Sequence, residues 1–351
     1  MRILQVDNWQ WNRYGNIRIG TGRKLFNGFV RNGHKVLEFS DRDIAKYEAP
    51  LRIKPLGERN ANKRLVETCL NYEPDFILLG HADLISNKTL LQIRKNLPNI
   101  KIAYRNVDAL FKENTIKNIS RRAEVVDGIF ITSGGAELKK FLSSSNTVSF
   151  MPNPCDPSFE DLQNDQRTDQ KYELTFCGAE KIRTPRVELV QNLKNSLTDI
   201  NFGVFGILGT DPLWGPQYDN LLFESKASLN LNRVEGHHLY SSARISQLMA
   251  NGILTYLHAS CGYQKFFQNK EAVFFESETD LLKKIRFFSN DDQARQDTAK
   301  RGREFYQQEF SAMKVSQFII EATFDMPYSF DYCWQQELSG NDFPKECEIF
   351  L

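Results

Sequence analysis

Asn232-Arg-Val-Glu-Gly-His-His-Leu-Tyr-Ser-Ser-Ala-Arg-Ile-Ser-Gln-Leu-Met-Ala-Asn-Gly252, with the apolar run Ile253-Leu-Thr-Tyr-Leu257 behind it, decides how the chain is read. It reads as strand end, loop, short helix, glycine stop, strand. Ile245, Leu248 and Met249 recur at helical spacing and form one apolar face. Tyr240, Arg244 and Gln247 share the opposite, polar face. Gly252 sits where a helix-ending glycine would. A helix start near Ser241 leaves backbone N–H groups free, which suits a phosphate. Arg244, one turn in, adds a planar fork that keeps its charge at any working pH.

Working outward, apolar runs alternate with helix-period segments on both sides of this stretch, the pattern of βα units and parallel sheets. The first half carries candidate strands at 3–6, 35–39, 76–80, 100–104, 128–132 and 148–151, with helical segments at 25–32, 62–72, 88–96 and 136–142. Met151-Pro-Asn-Pro-Cys-Asp-Pro-Ser158 breaks the series, since proline stops both helix and strand. A second series then offers strands at 172–177, 201–205, 227–231, 253–257 and 273–275, and helices out to 312–323. The expected division is a first doubly wound domain at 1–152, a linker at 153–170, a second domain at 171–325 and a tail at 326–351.

In such sheets ligands sit beyond the carboxyl ends of the strands. The residues there in the first half are Asp7, Asn8 and Trp9, then Asp41-Arg-Asp43, Gly80-His81, Arg105-Asn106-Val-Asp108 and Ser133-Gly-Gly135. The loop after the first strand holds Trp9, Trp11, Arg13, Tyr14, Arg18, Gly20 and Gly22; aromatic and guanidinium groups together suit sugar faces and anions. Without a third glycine, Gly20 and Gly22 do not make a dinucleotide fingerprint. Asp41 and Asp43 have D-x-D spacing, but a helix cap or solvated turn is the reading taken. His81 reads either as a structural histidine or as an active-site one, and Asp108 either as a cap for the following helix or as an active-site residue. His237 and His238 are adjacent, so they point apart and do not share a metal; no metal site is expected.

The bulk numbers exclude several classes. The 351 residues carry a net charge of +1, too little for a nucleic-acid partner. The six cysteines are scattered with no C-x-x-C, which argues for reduced thiols and against zinc. Asp7 interrupts the first apolar run, so the amino terminus is read as a strand and not a signal peptide. No run reaches the ~18 apolar residues of a membrane span.

The second half resembles the donor domain of GT-B glycosyltransferases, most nearly the CgeB-like branch of the group 1 enzymes. The resemblance rests on Lys226-Ala-Ser-Leu-Asn230-Leu-Asn232, Arg244-Ile-Ser-Gln247, Ala250-Asn-Gly252, Phe150-Met-Pro-Asn-Pro154 and Thr175-Phe-Cys-Gly178 with Arg186, and covers about 145–320. It implies two Rossmann-like domains facing a cleft and a glycosyltransferase of surface polysaccharide synthesis. The enzyme would be cytoplasmic, with a peripheral contact at the inner membrane. A nucleotide sugar would be the donor, a glycan or lipid-linked saccharide the acceptor, and no cofactor or metal is implied. Donor binding falls to Arg186, Lys226, Asn232, His238, Tyr240, Ser242, Arg244 and Gln247. Catalysis falls to His81, Asp108 and Glu235, and acceptor binding to Trp9, Arg18 and Gly20. The family has a glutamate where this chain has Gln247, and an amide offers a sugar diol only one acceptor oxygen and no charge. Three alternatives stay open: a CMP-activated acidic sugar of the Kdo type as donor, a nucleotide-sugar epimerase or hydrolase, and a non-catalytic glycan-binding scaffold.

Overall fold

The apolar runs form strands, and where helices cover both faces their residues are buried; the edge strand at Lys35–Ser40 is the exception, with Lys35 and Leu37 exposed. In a computed structural model, which describes residues 1–16, 20–180, 182–268 and 270–335, the chain divides into two units. The first comprises Met1–Pro152 and Ala312–Leu351, the second Asn153–Ser311.

The first unit holds β1 (Arg2–Asp7), α1 (Thr21–Arg31), β2 (Lys35–Ser40), α2 (Asp41–Glu48), α3 (Glu58–Tyr72), β3 (Phe76–Leu79), α4 (Asn87–Asn96), β4 (Lys101–Asn106), α5 (Glu113–Ala123), β5 (Gly128–Ile131) and β6 (Thr147–Phe150). Its strands are parallel in the order β2-β1-β3-β4-β5-β6. β3 and β5 read Phe-Ile-Leu-Leu and Gly-Ile-Phe-Ile, and every residue of both is buried. Each such side chain contributes roughly 1.5–3 kcal/mol relative to exposure. The order reverses between β1 and β3, so the switch-point crevice opens at the carboxyl ends of those two strands.

The second unit holds β7 (Leu174–Cys177), α6 (Pro185–Ser196), β8 (Phe202–Phe205), α7 (Pro216–Phe223), β9 (Ala227–Asn230), α8 (Arg244–Met249), β10 (Leu254–His258), α9 (Gln264–Phe267), β11 (Val273–Phe275), α10 (Glu278–Asn290) and α11 (Asp292–Glu309). Its parallel order is β11-β10-β9-β7-β8, with the switch point between β7 and β9. Together these are two parallel-sheet α/β units, of six and five strands, each with its own switch point.

Several expectations differ from the coordinates. The helix expected at the end of the second domain, α12 (Ala312–Phe324), packs in the first unit, so the chain returns there at Ala312 and not at 326. The physical reason is a close helix contact on α1. A Cβ at Gly28 would lie 2.1 Å from the Ala312 carbonyl oxygen, so only glycine lets the two backbones approach. Asn32 Nδ2 donates to Met313 O at 3.0 Å, and Phe76 and Phe130 meet Phe324 and Phe318 edge to face. The residues expected as a linker, 153–170, belong to the second unit. Asn164 Nδ2 donates to Leu222 O and Ser225 O, and Asp165 binds Arg303 Nε at 2.7 Å. Ala136–Phe141 winds as a 3-10 helix, and helices α2 and α5 follow Ser40 and Lys112, at and after the Asp41–Asp43 and Asp108 positions read as possible helix caps. The stretch after α12 is described to residue 335. There Glu321, buried on α12, accepts from Ser329 N at 3.1 Å and from the Tyr332 hydroxyl at 2.7 Å.

Candidate functional site

The second unit's switch point is filled by one side chain. Arg244 Nη1 donates to Cys177 O at the end of β7 (2.6 Å), and Nη2 to Leu231 O just past β9 (2.8 Å). Its Nε donates to Asn230 Oδ1 at 3.2 Å. Three of the five guanidinium N–H groups are used, which leaves one on each Nη for a ligand. Burial pushes the Arg244 pKa down, and the neighbouring Arg186 adds to that. Both guanidiniums lie over the Phe176 ring, at 5.4 and 5.7 Å. Glu180, in the loop after β7, pairs with Arg186, and Arg233 Nε stands 3.9 Å from the same carboxylate. Arg186 and Arg233 thus share the Glu180 carboxylate, while the described residues place no carboxylate in an ion pair with Arg244. Gly178 keeps the backbone bare here: a Cβ would stand 3.1 Å from Arg244 Nη1.

The loop after β9 is knitted by its own side chains. Glu235 accepts from Asn232 N at 3.0 Å, Asn232 Nδ2 donates to Tyr240 O at 3.1 Å, and Asn230 Nδ2 donates to Ser241 Oγ at 2.8 Å. Asn232 Oδ1 and Ser242 Oγ are buried without a hydrogen-bond partner, which is unusual for buried polar atoms. Beside this cluster a cavity of about 780 Å³ lies between the loops after β7 and β8. Glu180, Ile182, Arg183 and Val187 line one side, and the backbone of 206–212 the other. Gly206 (φ +82°) allows the close approach, since its Cβ would meet Gly178 O at 2.8 Å.

In the first unit the switch point holds a buried ion pair between Asp7 on β1 and Arg105 on β4. Burial opposes ionisation of Asp7, but the Arg105 and His81 charges outweigh it, and the carboxyl sits below its usual range. Asp7 Oδ1 accepts from His81 N at 3.1 Å. The His81 ring lies beside this pair, with Nδ1 3.9 Å from Asp108 Oδ2, and both side chains are partly exposed. Thr132 Oγ1 and Ser133 Oγ, beyond β5, are buried and unpartnered.

The structure thus gathers Arg186, Asn232, Glu235, Tyr240, Ser242 and Arg244 at the carboxyl edge of the second sheet, and His81 with Asp108 at that of the first. Gln247 is half-buried, and its side-chain amide makes no hydrogen bond among the described residues. The exposed His238 lies over Gly262, where a Cβ would come within 2.7 Å of its Nδ1. Lys226 falls elsewhere. It precedes β9, at the amino end of the sheet, and its Nζ stands 3.6 Å from Asp292 Oδ1. The four-residue strand separates it from the crevice by roughly 13 Å. The expected helix start near Ser241 is also corrected: α8 begins at Arg244 itself and is only six residues long, because the preceding residues are committed to the β9 loop. Trp9 turns inward against Phe26 and Arg23, with Nε1 buried and unpartnered. Gly20 is exposed before α1, and Arg18 lies outside the described residues. Asp41 and Asp43 are buried at the start of α2, where they hold Leu84 N and Trp11 N. No cluster of three or more His, Cys, Asp or Glu side chains suited to a metal occurs among the described residues.

Glu180, Asn230 and Arg233 were not singled out from sequence. Asn230 closes a strand and could have been found that way; Glu180 could not, because its role depends on which arginines fold beside it.

Residues 183–321 match a family model described as glycosyl transferase-like. No curated protein matches the chain. Among solved structures, HepE from Anabaena in complex with UDP and glucose has a TM-score of 0.59 at 12% identity, covering 93% of this chain and 100% of that one. Sucrose-phosphate synthase from Thermosynechococcus elongatus has 0.58 at 12%, covering 90% and 96%. A putative UDP-N-acetylglucosamine 2-epimerase from Listeria monocytogenes has 0.50 at 11%, covering 94% and 99%.

Proposed function

We propose that the second unit binds a nucleotide-sugar donor and that the chain transfers the sugar to a hydroxyl of a glycan or lipid-linked acceptor. The acceptor is assigned to surface polysaccharide synthesis, and the chain to a peripheral contact at the cytoplasmic face of the membrane. The observation that carries the donor reading is the Arg244 guanidinium in the switch-point crevice, with two N–H groups left over and Arg186 alongside. Departure of the sugar leaves charge on the distal phosphate, and fixed cations in a half-buried site stabilise it with little reorganisation. The 780 Å³ cavity next to Glu180 has the volume for the nucleoside. Gln247 is given the ribose diol, and Asn232 Oδ1 and Ser242 Oγ polar contacts to the donor. His81, with the Asp108 carboxylate 3.9 Å from its Nδ1, is given the acceptor proton; Glu235, which closes its own loop, is given a positioning role.

The test is a thermal-shift panel of UDP, GDP, dTDP and CMP compounds with the full chain, followed by nucleotide release assays. One nucleotide class should raise the unfolding midpoint, and free nucleotide should appear only when an acceptor glycan is added. No shift with any nucleotide removes the donor site. The neighbouring epimerase structure keeps a second reading in play: a sugar altered without an acceptor would favour it.

A further inference from the structure

The segment between α2 and α3 of the first unit exposes apolar side chains that nothing among the described residues covers. It runs as two 3-10 turns, Pro50–Arg52 and Lys54–Gly57. Leu51 is 90% exposed, Leu56 60% and Ile53 47%, and Tyr47 just before them is 63% exposed. Single exposed apolar residues are ordinary on protein surfaces; three large aliphatic ones within six positions are not. The backbone holds them out. Leu51 (φ +55°) and Arg52 (φ +58°) both lie in the left-handed region that bulky L-residues avoid. The base is fixed while the tip projects. Gly57 is pressed against the Ala45 carbonyl oxygen, to which a Cβ would come within 1.8 Å, and Glu48 is held by Arg64 Nε at 2.8 Å. Arg52 and Lys54 alternate with the aliphatic residues, and among the described residues neither is paired with a carboxylate.

We propose that this tip docks on an anionic lipid surface, with Leu51, Ile53 and Leu56 entering the acyl boundary and Arg52 and Lys54 meeting lipid phosphates. The alternation of aliphatic and cationic side chains matches the layering of a bilayer interface, apolar below and anionic above. Four projecting side chains are small beside the roughly 800 Å² that a stable protein interface takes from each partner. Tyr47 carries a phenol to the depth where headgroups begin. Among the described residues no helix is long and apolar enough to cross a membrane, so a tip of this kind gives a membrane contact without a span. The proposal deepens the membrane contact named above but does not need the transferase reading, because vesicle binding is measured without donor or acceptor.

The experiment is flotation of the full chain with vesicles of phosphatidylcholine alone or with added phosphatidylglycerol. The expected result is binding to the anionic vesicles that weakens as salt is raised. The triple variant L51S/I53S/L56S should lose at least about tenfold in partitioning. The variant R52Q/K54Q should lose roughly tenfold or more on anionic vesicles and become insensitive to salt. Both should keep the parent's circular dichroism and unfolding midpoint, since all five side chains point into solvent. Absence of binding by the parent chain, or equal binding by the triple variant, overturns the proposal. So does self-association of the parent in sedimentation velocity that the triple variant abolishes, which would give the tip to a second copy of the chain.

Discussion

At the residue scale, Arg244 does two things at once: it ties the ends of β7 and β9 together and presents charge between them. Arg244→Ala therefore has two expected effects. Donor-induced stabilisation disappears, and the free protein loses roughly 1–3 kcal/mol as carbonyls at the strand ends lose their donor, measured by denaturant unfolding. Arg244→Lys keeps the charge but not the fork, so it should bind nucleotide more weakly than the parent while recovering part of the stability. Glu180 gives a contrasting case. Its side chain and that of Arg186 are nearly buried together, so Glu180→Gln leaves a buried cation with less compensation and should cost about 3 kcal/mol. A Glu180→Gln variant as stable as the parent would show that the pair contributes little.

At the scale of elements, α2 shows how a site reading turns into a structural one. Asp41 begins the helix, is fully buried, and accepts from Leu84 N at 3.1 Å and Arg42 N at 2.7 Å. Burial raises its pKa from 3.8 to about 7 despite those bonds. The folded chain therefore holds this proton to about pH 7, whereas the unfolded chain releases it near 3.8. The resulting stability is complete below pH 3.8 and is lost as pH rises through 7, an effect of up to about 4 kcal/mol. Asp41→Asn removes that titration, so its unfolding midpoint relative to the parent's should rise between about pH 4 and 7 and level off above. A constant margin would mean that Asp41 does not titrate in that window. The sequence favoured a helix cap or solvated turn for Asp41 and Asp43; the fold of the Trp11 and Leu84 loops around them gives both carboxylates backbone N–H groups to hold.

At the scale of the molecule, the return of the chain to the first unit rests on α1 and α12. Gly28→Val places atoms where the Ala312 backbone stands and should detach or shift α12. The expected cost is at least about 2 kcal/mol, with faster amide exchange along α12 and residues 326–335. Unchanged exchange there would show that α12 is held by its aromatic contacts alone.

The sequence by itself determined both sheets. The eleven strands among the described residues lie where apolar runs put them, because central strands such as Phe76–Leu79 and Gly128–Ile131 are buried on both faces and leave a clear apolar trace. It also brought Arg244 forward through its place on the polar face of a short helix, and Arg186 and Asn232 through the resemblance to GT-B donor domains. Tertiary structure alone decided that Lys226 stands at the wrong end of β9, that Glu180 faces Arg186, that Asp7 meets Arg105 across β3, and that α12 crosses back. The physical reason is the same each time. Periodicity reports which face a residue occupies, but which groups meet there depends on strand order and backbone approach, and those are set by contacts between residues far apart in the chain.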